Sequence, residues 1–272
     1  MYKTICLIVL LTGVNSLAFA QPSKYFGTAE TVEKSSIGLQ VGSGIVLGDI
    51  AYQPLAQGGL YYQYHFRKWL DGRIGVNMGV YKGANTSKTG AIEPNEALNG
   101  MGLYNPTVNY LDSGSIYQNY RTTVLDICFS GKVNLIALFA RQYEKPFDVY
   151  VIGGLGTLRY LAKTDALDAA GNMYPYSTIT GTTPAEIKTQ LLAMRDGTYE
   201  SFAEYDKNTR ILIDGGLGFR YRLGGHFGIG LEMLGKYTDD DLLDGQRWKN
   251  NSELSKGSDI ILNVGVLAEY IF

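Results

Sequence analysis

Along much of the chain, apolar and polar residues alternate one by one. In residues 210–223, Ile211, Ile213, Leu217, Phe219 and Tyr221 share one parity, and Arg210, Asp214, Arg220 and Arg222 share the other. Residues 226–238 repeat the scheme, with Phe227, Ile229, Leu231, Met233 and Tyr237 opposite His226, Gly228, Gly230, Glu232 and Lys236. So do residues 122–139, where Leu125, Ile127, Phe129, Val133, Leu135 and Phe139 oppose Asp126, Ser130, Lys132 and Asn134. A period of two sends successive side chains to opposite faces of a β-strand. Read this way, the chain contains eight strands, at 37–47, 60–67, 72–81, 122–139, 147–160, 210–223, 226–238 and 259–272. Within 147–160, residues 151–158 show no polar face before Arg159, which points to a β-bulge.

Alternation fits two architectures. A sandwich turns its apolar faces inward, whereas a membrane barrel turns them to lipid and fills its lumen with the polar face. The connections discriminate between them. They are tight at 68–72, 141–146 and 223–225, and long at 48–59, 82–121, 161–209 and 239–258, so long and short alternate along the chain. Membrane barrels sort their turns to one side and their long loops to the other, which a Greek-key sandwich has no reason to do. Tyr62, Tyr64, Phe66, Phe219, Tyr221, Tyr270 and Phe272 fall on the apolar face near the short-turn end, where amphipathic rings form an interfacial girdle.

The last strand carries Asn263, Gly265, Ala268, Tyr270 and Phe272. This spacing resembles the assembly signal of outer-membrane proteins, and departs from it at Ala268, where a larger apolar residue is usual. The whole pattern resembles the small eight-stranded outer-membrane barrels, the OmpA N-domain and OmpX-like group, especially the loop-rich versions typical of Bacteroidota. The resemblance implies an all-β, antiparallel up-and-down transmembrane barrel integral to a Gram-negative outer membrane, with both termini in the periplasm and long extracellular loops. It also implies dealings with the barrel assembly machinery, outer-membrane lipid and lipopolysaccharide. In OmpA proteins a peptidoglycan-binding domain follows the barrel; the sequence here stops on the last strand, so the expectation is a barrel without that domain.

The first residues agree with export. Lys3, an apolar run from 5 to 11 and Ala18-Phe19-Ala20 make a secretory signal over 1–20, too short in its apolar core to span a bilayer. The expected organisation is signal peptide 1–20, periplasmic segment 21–36 and barrel 37–272. Beyond the signal no apolar run reaches the ~18 residues a transmembrane helix needs. Cys6 leaves with the signal, so Cys128 has no disulfide partner within the mature chain. Loss of Lys3 leaves 23 basic against 26 acidic residues, a net of −3, which speaks against nucleic-acid binding. With 34 Gly, 21 Tyr and only 7 Pro, the composition is one of strands and turns.

Candidate chemistry follows from this frame. Arg73, Asp126, Lys132, Asp214, Arg220, Glu232, Lys236 and Glu269 lie on polar faces and are expected to pair inside the barrel, because an isolated buried charge costs several kcal/mol. His65 and His226 sit beside short turns, away from the outer-leaflet substrate of lipid-modifying barrels, and two histidines make a poor zinc site. Asp239, Asp240, Asp241 and Asp244 in the last long loop form a candidate weak cation loop. In residues 183–197, Thr183, Pro184 and Glu186 spell a helix start, Gly197 an end, and Ile187, Leu191 and Met194 an apolar stripe, flanked by Leu192, for packing over the barrel mouth. Tyr104, Tyr110, Tyr117 and Tyr120 offer contact surface on a second loop. The function expected is structural or loop-borne interaction, as an accessory subunit of a larger assembly, with neither catalysis, cofactor nor metal. The alternatives are a narrow channel or transporter, and a lipid-modifying enzyme.

Overall fold

The computed structural model describes residues 35–90, 104–105, 110–111, 116–139, 146–201, 209–224, 226–247 and 257–272. The expected signal peptide and residues 21–34 lie outside them. Eight long strands carry the fold: β1 (Ser35–Leu47), β2 (Leu55–Arg67), β3 (Leu70–Thr89), β4 (Ile116–Asn134), β5 (Phe147–Thr164), β6 (Thr209–Arg222), β7 (Phe227–Thr238) and β8 (Ile260–Ile271). Each pairs antiparallel with the next. β8 then pairs with β1, from Ser36 opposite Ile271 to Leu47 opposite Ile260, so the sheet closes and leaves no free edge. The chain is a closed eight-stranded antiparallel barrel.

Its polarity is inverted relative to a water-soluble barrel. Leu60, Phe129 and Ile211 point outward and are 60%, 64% and 74% exposed, while Lys132 and Lys236 point inward and are 1% and 2% exposed. Near the short-turn end the outward rings touch: Phe227 lies 5.2 Å from Tyr270, Tyr64 4.9 Å from Phe66, and Tyr270 6.3 Å from Phe272. An apolar wall, a ring of aromatics and a polar interior are what a bilayer demands of a barrel.

Three features of the expected strands change. The expected strand over 122–139 stops at Asn134, because the Asn134 side-chain oxygen accepts from the main-chain N–H of Ile136 and Ala137, both at 3.0 Å. That N-cap starts a single helical turn, α1 (Leu135–Phe139). Leu135 to Phe139 are all apolar, so the alternation had already ceased there. The expected bulge in 147–160 is absent: β5 runs in unbroken register against both β4 and β6. Asp148 and Tyr150 begin its inward face, which Ile152 and Leu158 continue with apolar side chains. Register shifts fall instead between His65 and Arg67 and between Ala84 and Lys88. Finally, the ladder runs further than the alternation shows. β2 starts at Leu55, β3 reaches Thr89 and β4 begins at Ile116, so the loops expected at 48–59 and 82–121 are partly strand. Gly58 and Gly59 carry no side chain to reveal the period.

Glycine and tyrosine fill the interior together. A side chain on Gly38 of β1 would run into the Tyr61 ring from β2, and one on Gly218 of β6 into the Tyr150 ring from β5. Each ring lies against a neighbouring strand where the backbone is bare, which lets a large aromatic fit inside a narrow barrel.

Candidate functional site

The inward faces of the strands bring a band of charges together at the short-turn end and mid-height of the barrel. Arg73, Asp126, Lys132, Asp214, Arg220, Glu232, Lys236 and Glu269 are all inside and buried. Arg73 on β3 donates through Nη1 to both oxygens of Glu232 on β7, at 2.9 and 2.8 Å, and its guanidinium lies 4.1 Å above the Tyr61 ring. The Tyr150 hydroxyl donates to the same carboxylate at 2.8 Å. Arg220 bridges Asp148 and Glu269, the latter at 2.7 Å. Lys236 reaches Asp126 at 2.5 Å, and Asp126 also accepts from Asn77 at 2.7 Å.

Two expected members pair differently. Asp214 accepts from the Ser130 hydroxyl at 2.9 Å, and among the described residues no cation forms an ion pair with it. Lys132 donates to Gln63 at 3.3 Å, lies 3.7 Å from Asp71, and sits 4.1 Å above the Tyr150 ring. Asp71 and Asp148 are thus central residues that the sequence reading missed. Asp71 fell in the assumed turn at 68–72, and Asp148 in the stretch whose phase was obscured. The available signal was parity, since Asp71 shares a face with Arg73, and Asp148 with Tyr150 and Tyr160.

A cavity of about 20 Å³ among Gln40, Arg73, Asn77, Ser130 and Asp214 has room for roughly one water. Toward the long-loop end the interior turns apolar, with Val46, Tyr120, Leu158, Leu212 and Ile261 from the strands closing around Ile50 and Leu243 from the loops. Ile50 and Leu243 are 1% and 0% exposed, so they stopper the barrel from above.

Two carboxylates hold that stopper. Asp244 accepts from the main-chain N–H of Asp49, Ile50 and Gln246 at 2.6, 2.9 and 2.9 Å. Asp259 accepts from those of Leu243 and Asp244 at 2.8 and 3.2 Å, while its Oδ1 has no hydrogen-bond partner among the described residues. Asp244 Oδ2 and Asp259 Oδ1 flank the same point beside Gly48. Burial, more than any other cause, raises both carboxyls above the usual range, and the charge of Asp244 adds to the effect at Asp259. Protons bound more tightly in the folded state stabilise it below the ordinary carboxylate range of about 4, and that contribution is lost as pH rises. Amide exchange of Leu243 and Asp244, corrected for intrinsic rate, should therefore show protection falling between about pH 5 and pH 8, by up to about 1.4 kcal/mol per unit for each proton released. Asp259→Asn keeps an acceptor and removes a charge, so it should flatten the profile; an unchanged profile would refute the pairing.

The four carboxylates of the candidate cation loop are not brought together. Asp240 bonds Arg210 at 2.7 Å and the Tyr160 hydroxyl at 2.6 Å, Asp244 holds main-chain amides, and Asp239 is exposed on the outer wall. Among the described residues no three His, Cys, Asp or Glu side chains stand as a metal site requires. His65 bonds Asp71 at 2.8 Å, and His226 donates to the Ile271 carbonyl at 3.0 Å, both at the short-turn end. Of the assembly-signal residues, Asn263 accepts from the Tyr81 hydroxyl at 3.0 Å, Gly265 faces inward, and Tyr270 and Phe272 lie in the outer aromatic ring.

No family model matches the sequence, and no curated protein matches it. Several solved structures share the general architecture. Neisserial surface protein A is 9% identical, with a TM-score of 0.43 over 88% of this chain and 97% of that one. Ail, the attachment invasion locus protein of Yersinia pestis, is 12% identical, with a TM-score of 0.40 over 88% and 98%. OprG of Pseudomonas aeruginosa is 9% identical, with a TM-score of 0.40 over 88% and 97%. The barrel assignment stands on the closed ladder and inverted polarity of the chain itself.

Above the stopper, residues 165–199 fold into a cap. α2 (Pro184–Met194) begins with the Thr183–Glu186 capping box, and Gly197, with φ of +79°, follows its end. Leu191 is buried, with Ile187 and Met194 beside it, against Ile116, Tyr117, Tyr174 and Tyr176. Asn119 on β4 exchanges hydrogen bonds with the Asp165 main chain at 2.7 and 2.8 Å, and the Asp165 carboxylate receives the Tyr174 hydroxyl at 2.8 Å. Tyr117 and Tyr120 therefore offer no contact surface: they lie on β4, 5% and 0% exposed, in the cap and the stopper. Tyr104 pairs with Leu111, and Tyr110 with Asn105, in a two-residue ladder. Leu192 is 68% exposed on the free side of α2.

Proposed function

We propose that the chain is an integral protein of a Gram-negative outer membrane, of the OmpA and OmpX-like kind, whose role is carried by its surface loops as a non-catalytic accessory subunit of a larger assembly. The observation that carries this reading is the filled lumen: ion pairs occupy its lower and middle levels, and Ile50 and Leu243 stopper the top. A solute path would need a continuous gap; among the described residues the cavity beside Arg73 and Asp214 has room for about one water, and the stopper stands above it. The cap over residues 165–199 has a fixed shape and one outward apolar side chain at Leu192, which suits recognition on a rigid scaffold.

Two measurements test it. Purified barrel in planar bilayers should give no steady unitary conductance, and steady openings would favour the channel reading. Crosslinking in intact membranes should capture a neighbouring protein, and replacing 166–199 by a short Gly/Ser turn should leave a folded barrel that no longer captures it. If the shortened barrel keeps every neighbour, the cap is only a seal. A change in lipid A mass on deleting the gene would favour an enzyme.

A further inference from the structure

The outer wall carries an arrangement of cations that neither the lumen nor the cap explains. Lys82 on β3 stands directly opposite Arg121 on β4, and Arg121 directly opposite Lys163 on β5. Lys82 shares its face with Val76, Met78 and Val80, Arg121 with Leu125, Ile127 and Phe129, and Lys163 with Val151 and Leu155, so all three lie on the outward side. Arg159, four residues before Lys163, lies on the same face and opposite Leu125. The result is a lateral row of three basic residues on adjacent strands, with backbones about 5 Å apart, and a fourth basic residue below it. Directly beneath the row on β3 and β4 the wall becomes the apolar band: Val80 and Thr123, then Met78 and Leu125.

Like charges at facing positions of neighbouring strands repel and weaken the pairing. An opposite charge would relieve this, yet among the described residues no carboxylate lies within salt-bridge distance of Lys82, Arg121 or Lys163. The nearby carboxylates are engaged elsewhere: Asp165 by the Tyr174 hydroxyl and the Gly197 N–H, and Glu200 by the Ala166 N–H at 2.9 Å. What does meet the row is an aromatic face: the Tyr199 ring lies 5.4 Å from Lys82 Nζ and 5.9 Å from the Arg121 guanidinium. It supports two cations without neutralising them.

We infer that the row Lys82, Arg121 and Lys163 binds the phosphate of an anionic lipid headgroup in the outer leaflet. The acyl chains would lie along the apolar band beneath it. Arginine supplies a planar fork for phosphate oxygens and the lysines supply point charges on either side. A headgroup phosphate at this height would neutralise the row, and a phosphate free in solution would lack the apolar wall that helps hold the lipid.

This inference rests on the proposed outer-leaflet position of the rim, which is tested separately by labelling the loops on intact cells; lipid retention is read on purified, full-length barrel. Native mass spectrometry with phosphorylated lipid A, and with the same lipid enzymatically dephosphorylated, should show retention of the phosphorylated form only. Replacing Lys82, Arg121 and Lys163 together by Gln should reduce that retention about tenfold or more, while heat-modifiable migration confirms that the barrel is folded. Should the triple variant fail to fold, Arg121→Gln alone carries the test, with Arg121→Lys expected to recover part of the binding. Equal retention of the two lipids, wild-type retention by a folded variant, or displacement of the lipid by millimolar inorganic phosphate would each overturn the assignment.

Discussion

Glu232→Gln should destabilise the barrel by about 3–5 kcal/mol, because it leaves the Arg73 guanidinium buried without its carboxylate. The pair is 6% and 0% exposed at its side chains, so solvent offers Arg73 little compensation. The substitution also weakens the acceptor of the Tyr150 hydroxyl. Removing both charges should cost much less, since a buried pair replaced by apolar side chains of similar size loses its desolvation penalty together with its attraction. The measurement is the urea midpoint of folded barrel in lipid vesicles for E232Q, R73M and the R73M/E232M double variant. Near-additive losses would show that the two residues act independently, and an unshifted midpoint for E232Q would remove the pair from the account of stability. Conductance should stay absent in all three, because the stopper of Ile50 and Leu243 lies above the pair and does not depend on it.

Deleting Tyr270 to Phe272 should lower the yield of folded barrel about tenfold or more, since an unclosed sheet leaves unpaired edges in a bilayer. These residues seal the seam between β8 and its neighbours: Ile271 N–H donates to the His226 carbonyl at 2.8 Å, and Phe272 and Ser35 exchange main-chain hydrogen bonds at 2.9 and 3.2 Å. Tyr270 also packs against Phe227 and His226 in the aromatic ring. Accumulation of exported but protease-sensitive, non-heat-modifiable chain is the expected result. A truncated protein that migrates as a folded species from outer membranes would show that the seam closes without them.

The eight strands were legible because the barrel imposes a period of two wherever one face meets lipid. Val80 to Lys82 on β3 shows the limit of that signal: above the lipid there is no reason for outward residues to be apolar, so the ladder continues to Thr89 without an alternation to betray it. The lumen charges were legible for the same reason, as interruptions of an apolar rhythm. Which charge meets which was not, since partners such as Arg73 and Glu232 are separated by 159 positions and by the curvature of the wall. Asp214 illustrates the point, with its parity right and its partner a serine. The stopper escaped notice because Leu243 and Ile50 sit in stretches with no period at all. The α2 helix was readable from local capping chemistry, although it ends at Met194, with Arg195 as its C-cap, ahead of the Gly197 expected to mark its end.

The bare backbone at Gly38 and Gly218 has a consequence for descent. A ring from the next strand occupies each site, so position 38 and position 61 form one heritable unit, and so do 218 and 150. Alanine at either glycine forces the facing tyrosine ring to shift or to be exchanged for something shorter, and the intermediate with both bulky groups is crowded inside a ring of fixed circumference. Lineages of this barrel should thus change these sites in pairs while the lipid-facing positions drift singly among apolar types. Coupled substitution at 38 with 61 and at 218 with 150 is the trace by which distant kin can be aligned when overall identity has faded.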